Sequence, residues 1–325
     1  MKNIILTFDY ELFLGLDSGT AIKSIIEPTN KVIDVLEKYK AKAIFFVDAT
    51  YLMALQKYKS KDLELIANQL KKIVNIGSSV ELHLHPQWLD AKPDKDRWVF
   101  DNFDRYRLHS LPKEEINQLF KNGINILENI TNQKVSIFRA GGWSITPFEK
   151  LKEAFIKNDI KIDMSVCPGF YKDELPMHYY NFLNTPNKEY YKFSNDVCIE
   201  TANGIFLEIP VTTYEMFGFD LVINNLIKRF KNDEIYGDGK GLASSNGSQN
   251  IIKRVFKQNL RKATIESQSE YFFKKSFKKL KNKNLLSYVM HPKTLSKTSF
   301  SNLKYLCQHN VTLNTKDLLE RYFNA

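Results

Sequence analysis

Short apolar runs alternate with longer stretches of helical periodicity along most of this chain. Residues 4–8 (Ile-Ile-Leu-Thr-Phe) are β-rich, and residues 42–47 form a second run of the same kind. Between them Val32, Val35, Leu36 and Tyr39 recur at helical spacing, with Thr29 or Asn30 as the expected N-cap. The pattern then repeats, with a helix over 63–73, a strand over 80–84, a helix over 113–130 and a strand over 135–138. Further strands are expected at 161–166, 205–211, 285–290 and 311–313. Strands alternating with helices imply mostly parallel pairing, because a parallel return needs a crossover of about a dozen residues. The repeat count predicts an α/β barrel of seven or eight βα units, a single domain over residues 1–325. Two insertions interrupt it, at about 168–200 and 232–283. The first is rich in Tyr, Asn and Pro and reads as a long loop. The second opens with a Gly- and Ser-rich stretch, 236–247, which lacks the order of a phosphate-binding P-loop.

Composition sharpens this reading. The 325 residues are 43% hydrophobic and 26% charged, which excludes a disordered chain. A net charge of +10 favours anionic partners: a phosphate-bearing substrate, an acidic membrane surface or nucleic acid. Most of that charge sits in residues 253–283, where eleven Lys or Arg face only Glu266 and Glu270. No nucleic-acid-binding module accompanies it, so nucleic acid is not an expected partner. No apolar run approaches the ~18 residues of a membrane span. Asp9 and Glu11 precede any signal-peptide core, and Cys167, Cys198 and Cys307 lack metal-type spacing. A soluble cytoplasmic protein with reduced thiols is expected, with peripheral contact at the inner membrane surface left open. The oligomeric state is not readable.

The candidate chemistry lies where the predicted strands end. Asp9 and Glu11 close the first strand, His83 and His85 the third, and each pair has the i, i+2 spacing that points both side chains one way. Arg139 ends the fourth strand, Asp163 lies in the fifth, and His291 ends a late one. In a parallel α/β barrel such ends converge on one face. Two imidazoles with one carboxylate form a hydrolytic metal-ligand set.

These segments resemble the polysaccharide deacetylases of the NodB-homology type, carbohydrate esterase family 4. The resemblance rests on Thr7-Phe8-Asp9-Tyr10-Glu11, on Lys42-Ala43-Ile44-Phe45-Phe46-Val47, and on the Gly77-to-His83 approach to the histidine motif. It continues through Arg139 to Trp143, Asp163, and Val289-Met290-His291-Pro292. The chain departs from the family in reading Asp9-x-Glu11 for adjacent aspartates and His83-x-His85 for the wider histidine spacing. The His-x-His-Pro and Arg-x-Gly-x-Trp readings place it nearest a subgroup found with cell-surface polysaccharide biosynthesis.

The resemblance implies a distorted, NodB-like barrel and a deacetylase acting on an N-acetylated (or O-acetylated) sugar or glycan precursor, with phosphate linkage left open. It implies that Glu11, His83 and His85 hold a divalent ion, zinc first and cobalt as the alternative. Asp9 would then be the general base, oriented by Arg139. His291 would protonate the leaving amine, with Asp163 favouring its charged form. Gly142 or Trp143 would supply an oxyanion contact, and Trp143 and Trp88 would stack on a sugar. Exchange of the parts of Asp9 and Glu11 stays open. So do two other readings: a related-barrel glycosidase using Asp9 and Asp163, and a catalytically silent glycan-binding barrel.

Overall fold

The computed structural model describes residues 1–102, 104–175, 177–241 and 255–324. Its centre is a nine-stranded sheet, in which the apolar runs become strands buried on both faces. In chain order these are β1 (Asn3–Tyr10), β2 (Ile44–Asp48), β3 (Ser79–Leu84), β4 (Ile137–Ala140), β5 (Ile162–Asp163), β6 (Tyr191–Phe193), β7 (Phe206–Glu208), β8 (Leu285–Met290) and β9 (Val311–Thr312). The spatial order is β6-β7-β5-β4-β3-β2-β1-β8, with β9 pairing the first residues of β1. Every pair is parallel except β6 with β7. The sheet curls into the half-barrel of a distorted barrel. Between β7 and β8, Thr212 and Ala263 carry the ladder, with Thr212 N–H donating to Ser287 O (3.0 Å) and Val289 N–H to Ala263 O (3.0 Å).

Five helices cover the outer face: α1 (Glu27–Tyr39), α2 (Ala49–Lys57), α3 (Asp62–Asn75), α4 (Lys113–Thr131) and α5 (Glu149–Lys157). Their apolar stripes pack with outward residues such as Phe8, Phe45, Leu82 and Phe138 in one large core. The inner face is graded. Ile5, Ile44, Ile137, Ile162, Leu207 and Leu285 form a dry layer at the strand starts, capped by Leu318 near the C-terminus. The same alternation then brings Thr7, Asp9, Glu11, His83 and Arg139 inward at the strand ends, so the polar residues collect at one mouth.

Several elements differ from expectation for local reasons. Thr29 and Asn30 do not cap α1; it begins at Glu27 with Pro28 in its first turn, after a wide turn at Ile22–Ile26, and Asn30 instead accepts from Gln69 Nε2 (2.8 Å). β5 ends at Asp163 because its carboxylate accepts both the N–H (3.0 Å) and the hydroxyl (2.7 Å) of Ser165, turning the chain. Pro210, which has no N–H to give, follows closely after β7.

The first insertion is not all loop: Tyr171–Glu174 pairs with His178–Asn181 as a hairpin, and β6 follows. Beyond β7, Thr213–Phe217 pairs antiparallel with Gln258–Lys262. This pair carries α6 (Gly218–Phe230), with α7 (Glu270–Lys279) and α8 (Lys297–His309) further on. Of the Gly/Ser stretch, residues 236–241 pack against the barrel mouth, whereas 242–247 lie outside the described residues, as do Lys253 and Arg254 of the basic segment.

Candidate active site and metal centre

Strand register assembles the site. His83 sits opposite Arg139 across β3 and β4, and Phe8 opposite Met290 across β1 and β8, which brings His291 beside Asp9. Glu11, just past β1, completes a tight group: its Oε2 lies 3.0 Å from His83 Nε2 and 2.7 Å from His85 Nε2. One donor atom from each of the three falls within 4.8 Å of the others.

This donor set fits a divalent cation. His83 Nδ1–H donates to Arg139 O (2.7 Å), which turns the Nε2 lone pair toward Glu11. His85 Nδ1 has no hydrogen-bond partner among the described residues, so Nε2 is the nitrogen that meets the group. Behind it, Thr50 Oγ1 accepts the His85 N–H (2.9 Å) and donates to Asp48. Gly141 makes room for the ring: a Cβ there would lie 2.7 Å from His85 Nδ1 and 2.5 Å from Leu84 O.

The carboxylates are buried and charged. Burial alone would push Asp9 up, but the Arg139 guanidinium (Nη1 to Oδ1 2.6 Å), His291 and His83 hold it below the usual carboxylate range. Glu11 is likewise opposed by burial, yet Lys293, His85 and His83 hold it well below that range. His83 is pulled down by burial but raised overall by Glu11 and Asp9. Arg139 is itself fixed by Met164 O (2.9 Å) and Thr7 Oγ1 (2.8 Å), with its guanidinium 4.1 Å from the Phe46 ring centroid.

His291 completes the wall. Its Nε2 lies 3.5 Å from Asp9 Oδ2, and its Nδ1 is 2.9 Å from Glu266 Oε1. Glu266 also accepts from Thr294 Oγ1 (2.7 Å) and the His291 N–H. Burial opposes its ionisation, but His291, Lys262 and Thr294 bring it down to about 2.

Two expected residues stand elsewhere. Asp163 does not reach His291; it is fully buried against Ser165 and Glu208 behind Arg139, where burial raises its carboxyl. Glu266 occupies the place foreseen for it. The same placement keeps Asp163 from flanking a glycosidic bond together with Asp9. Trp88 is not a sugar platform either: it is buried, donates its indole N–H to Asp48 Oδ2 (2.7 Å) and packs on Tyr51, Trp98 and Phe100. Its large ring is used to hold Asp48 and, through Thr50, the backbone of His85.

Trp143 and Gly142 both line the cavity, a space of about 460 Å³. Gly142 has φ of 58° and lies against Tyr106 where a side chain would collide. Trp143 has Lys262 Nζ 5.1 Å from its ring centroid. The hairpin of the first insertion adds Lys172, His178 and Tyr180 to the wall, and burial takes His178 down to about 4.

Sequence reasoning also passed over Lys293. Its Nζ contacts Glu11 Oε1 (2.8 Å) and Leu12 O (2.6 Å), and the side chain is nearly solvent-free. The signal was there: Lys293 stands two residues after His291, where the turn at Pro292–Thr294 folds it back toward the strand ends.

Among known proteins, the polysaccharide deacetylase family model matches residues 1–152. No curated protein matches the chain. Among solved structures, a candidate polysaccharide deacetylase from Mycobacterium smegmatis superposes with a TM-score of 0.51 at 11% identity, over 99% of this chain and 90% of that one. A carbohydrate esterase family 4 pseudoenzyme from Bacillus anthracis gives 0.44 at 13% identity, over 98% and 66%. The corresponding domain of a multidomain xylanase from a Trinervitermes trinervoides hindgut metagenome gives 0.39 at 11%, over 98% and 90%. The first of these supports the fold, and the family match spans the part of the chain that carries Asp9, Glu11, His83, His85 and Arg139. Residues 1–152 of this chain are therefore similar to the polysaccharide deacetylases, and the chain as a whole shares the fold of a solved structure so described.

Proposed function

We propose that this protein removes an N-acetyl or O-acetyl group from a sugar or glycan precursor used in cell-surface polysaccharide biosynthesis, with the help of a divalent metal ion, zinc or cobalt. The observation that carries the reading is the convergence of Glu11, His83 and His85 beside two further charged pairs, Asp9 with Arg139 and His291 with Glu266. Glu11, His83 and His85 would hold the ion, which when bound would acidify water and polarise the acyl carbonyl.

Asp9 then takes the proton from the attacking water: it is ionised, and Arg139 leaves its Oδ2 turned toward His291 and the cavity. His291 delivers a proton to the departing amine through Nε2, because Nδ1–H is committed to Glu266. That hydrogen bond fixes the ring and offsets positive charge on it. Lys293 holds one oxygen of Glu11, leaving the other for the histidines. Gly142 and Trp143 flank the place where negative charge develops on the acyl oxygen.

Lys172 in the cavity wall and Lys262 over Trp143 support a substrate that also carries phosphate. The basic exterior supports contact with an anionic membrane, where lipid-linked precursors are met. Three cysteines without a disulfide agree with a cytoplasmic setting.

Acetate release from N-acetylated sugars, nucleotide-linked sugars and oligosaccharides tests the reading. Release that stops with chelator and returns with zinc or cobalt is the expected result. A metal-loaded protein that binds glycan without releasing acetate would leave a silent binding barrel as the better account.

A further inference from the structure

Helix α6 carries an apolar stripe on its outer side. Two of its polar residues face the protein: Asp220 and Asn224 are buried, Asp220 paired with Lys275 of α7 and Asn224 bonded to Ser267 O (2.9 Å) and the Ser269 N–H (2.7 Å). Leu221, Ile223 and Ile227 are half-buried, but a second set of apolar residues faces water. Phe219 is 57%, Leu226 50% and Phe230 89% exposed, with Val222 exposed between them. At about 100° per residue these four positions fall within an arc of about 80° on one side of the helix. Phe217 and Phe256 lengthen the stripe at the first turn, where Gly218 N–H donates to Lys257 O (2.9 Å). A water-facing run of this kind marks an interaction surface rather than scattered exposed residues.

We propose that this face docks on an anionic lipid bilayer, lying in the interface with its phenylalanines in the acyl boundary. Charge selects that occupant. Arg229 and Lys231 are exposed at one end of the stripe, and Lys257 and Arg261 at the other. Nearby acids are fewer: Glu215, Asp233 and Glu234, of which Asp233 already accepts from Ser296 and Thr298. An apolar stripe in a basic frame is the pattern of an interfacial helix. A second copy of the chain is disfavoured, because two-fold pairing of this face would set its cations against themselves. The proposal extends the membrane contact raised above and is independent of the deacetylase chemistry, since α6 contributes nothing to the cavity.

Vesicle co-sedimentation tests it, using phosphatidylcholine alone and phosphatidylcholine with phosphatidylglycerol. The full chain should bind the anionic vesicles and lose binding as salt rises. Arg229→Glu with Lys231→Glu should weaken binding at least about 25-fold, at roughly fivefold for each cation removed near the surface. Leu226→Ser with Phe230→Ser should abolish it while leaving thermal melting and acetate release from a soluble substrate unchanged. Absence of binding to anionic vesicles, or equal binding by all three proteins, would overturn the proposal. So would a concentration-dependent dimer that the serine pair disrupts, which would give the face to a second copy.

Discussion

Replacing Lys293 by Met would strand a buried carboxylate. Lys293 Nζ is the donor to Glu11 Oε1 at 2.8 Å and to Leu12 O at 2.6 Å, and both side chains are less than a tenth exposed. Met keeps most of the stem's volume but leaves both oxygens without that donor. Removing one partner of a buried pair costs about 3–5 kcal/mol, against at most about 1 kcal/mol for a surface pair. After burial, which opposes ionisation, Lys293 is the largest influence on Glu11 and the one that lowers it most. Urea unfolding of metal-free protein, followed by tryptophan fluorescence, should therefore show Lys293→Met less stable by about 3–5 kcal/mol. Glu11→Gln combined with Lys293→Met should recover much of the loss, because no charge is then left unpaired. Zinc should stabilise Lys293→Met, since a cation bound to the folded state near Glu11 supplies the missing positive charge. A cost below about 1 kcal/mol for the single variant would refute the coupling. A double variant no more stable than the single one would refute it too.

Other outcomes follow from the same geometry. Asp9→Asn and His291→Ala should each slow acetate release by about 10²–10⁴-fold while metal content, read by elemental analysis, is retained. Gly141→Ala should displace His85, since its new Cβ would lie 2.7 Å from Nδ1; metal content falling below that of the parent is the expected readout, and an unchanged content would show that the ring can yield. Glu81 is buried and its carboxyl is raised from 4.5 to about 7, against the opposing hydrogen bonds from Thr315, Ser136 and Ile137. The folded state thus keeps a proton that the unfolded chain releases. Stability should fall by about 3 kcal/mol as pH rises from about 4.5 to 7, and stay lowered above that. Glu81→Gln should remove this slope, and parallel melting profiles for the two proteins would contradict it.

Periodicity located the strands because β1, β3 and β8 are short runs buried on both faces and are bounded by helices with clear stripes. The gathering of polar residues at one mouth was legible from their spacing, as strand-end residues at i, i+2 share a face once the sheet is parallel. Side chains supplied by turns were not legible. Lys293 reads as a surface lysine until the turn at Pro292–Thr294 folds it inward, and Glu266 reads as a stray acid in a basic run until it meets His291. Asp163 was misplaced because its own hydrogen bonds to Ser165 end β5 early. Trp88 was misplaced because indole N–H satisfaction by Asp48 is a tertiary fact. The face of α6 lay hidden in an ordinary helical period, since only packing decides which side of a helix meets water.

The central claim is that Glu11, His83 and His85 grip one cation. Elemental analysis of the purified parent and of the His83→Ala/His85→Ala variant, each dialysed against trace zinc, tests it most directly. A stoichiometric divalent ion in the parent, absent from the variant, is the predicted result. Equal metal in both proteins would contradict the account.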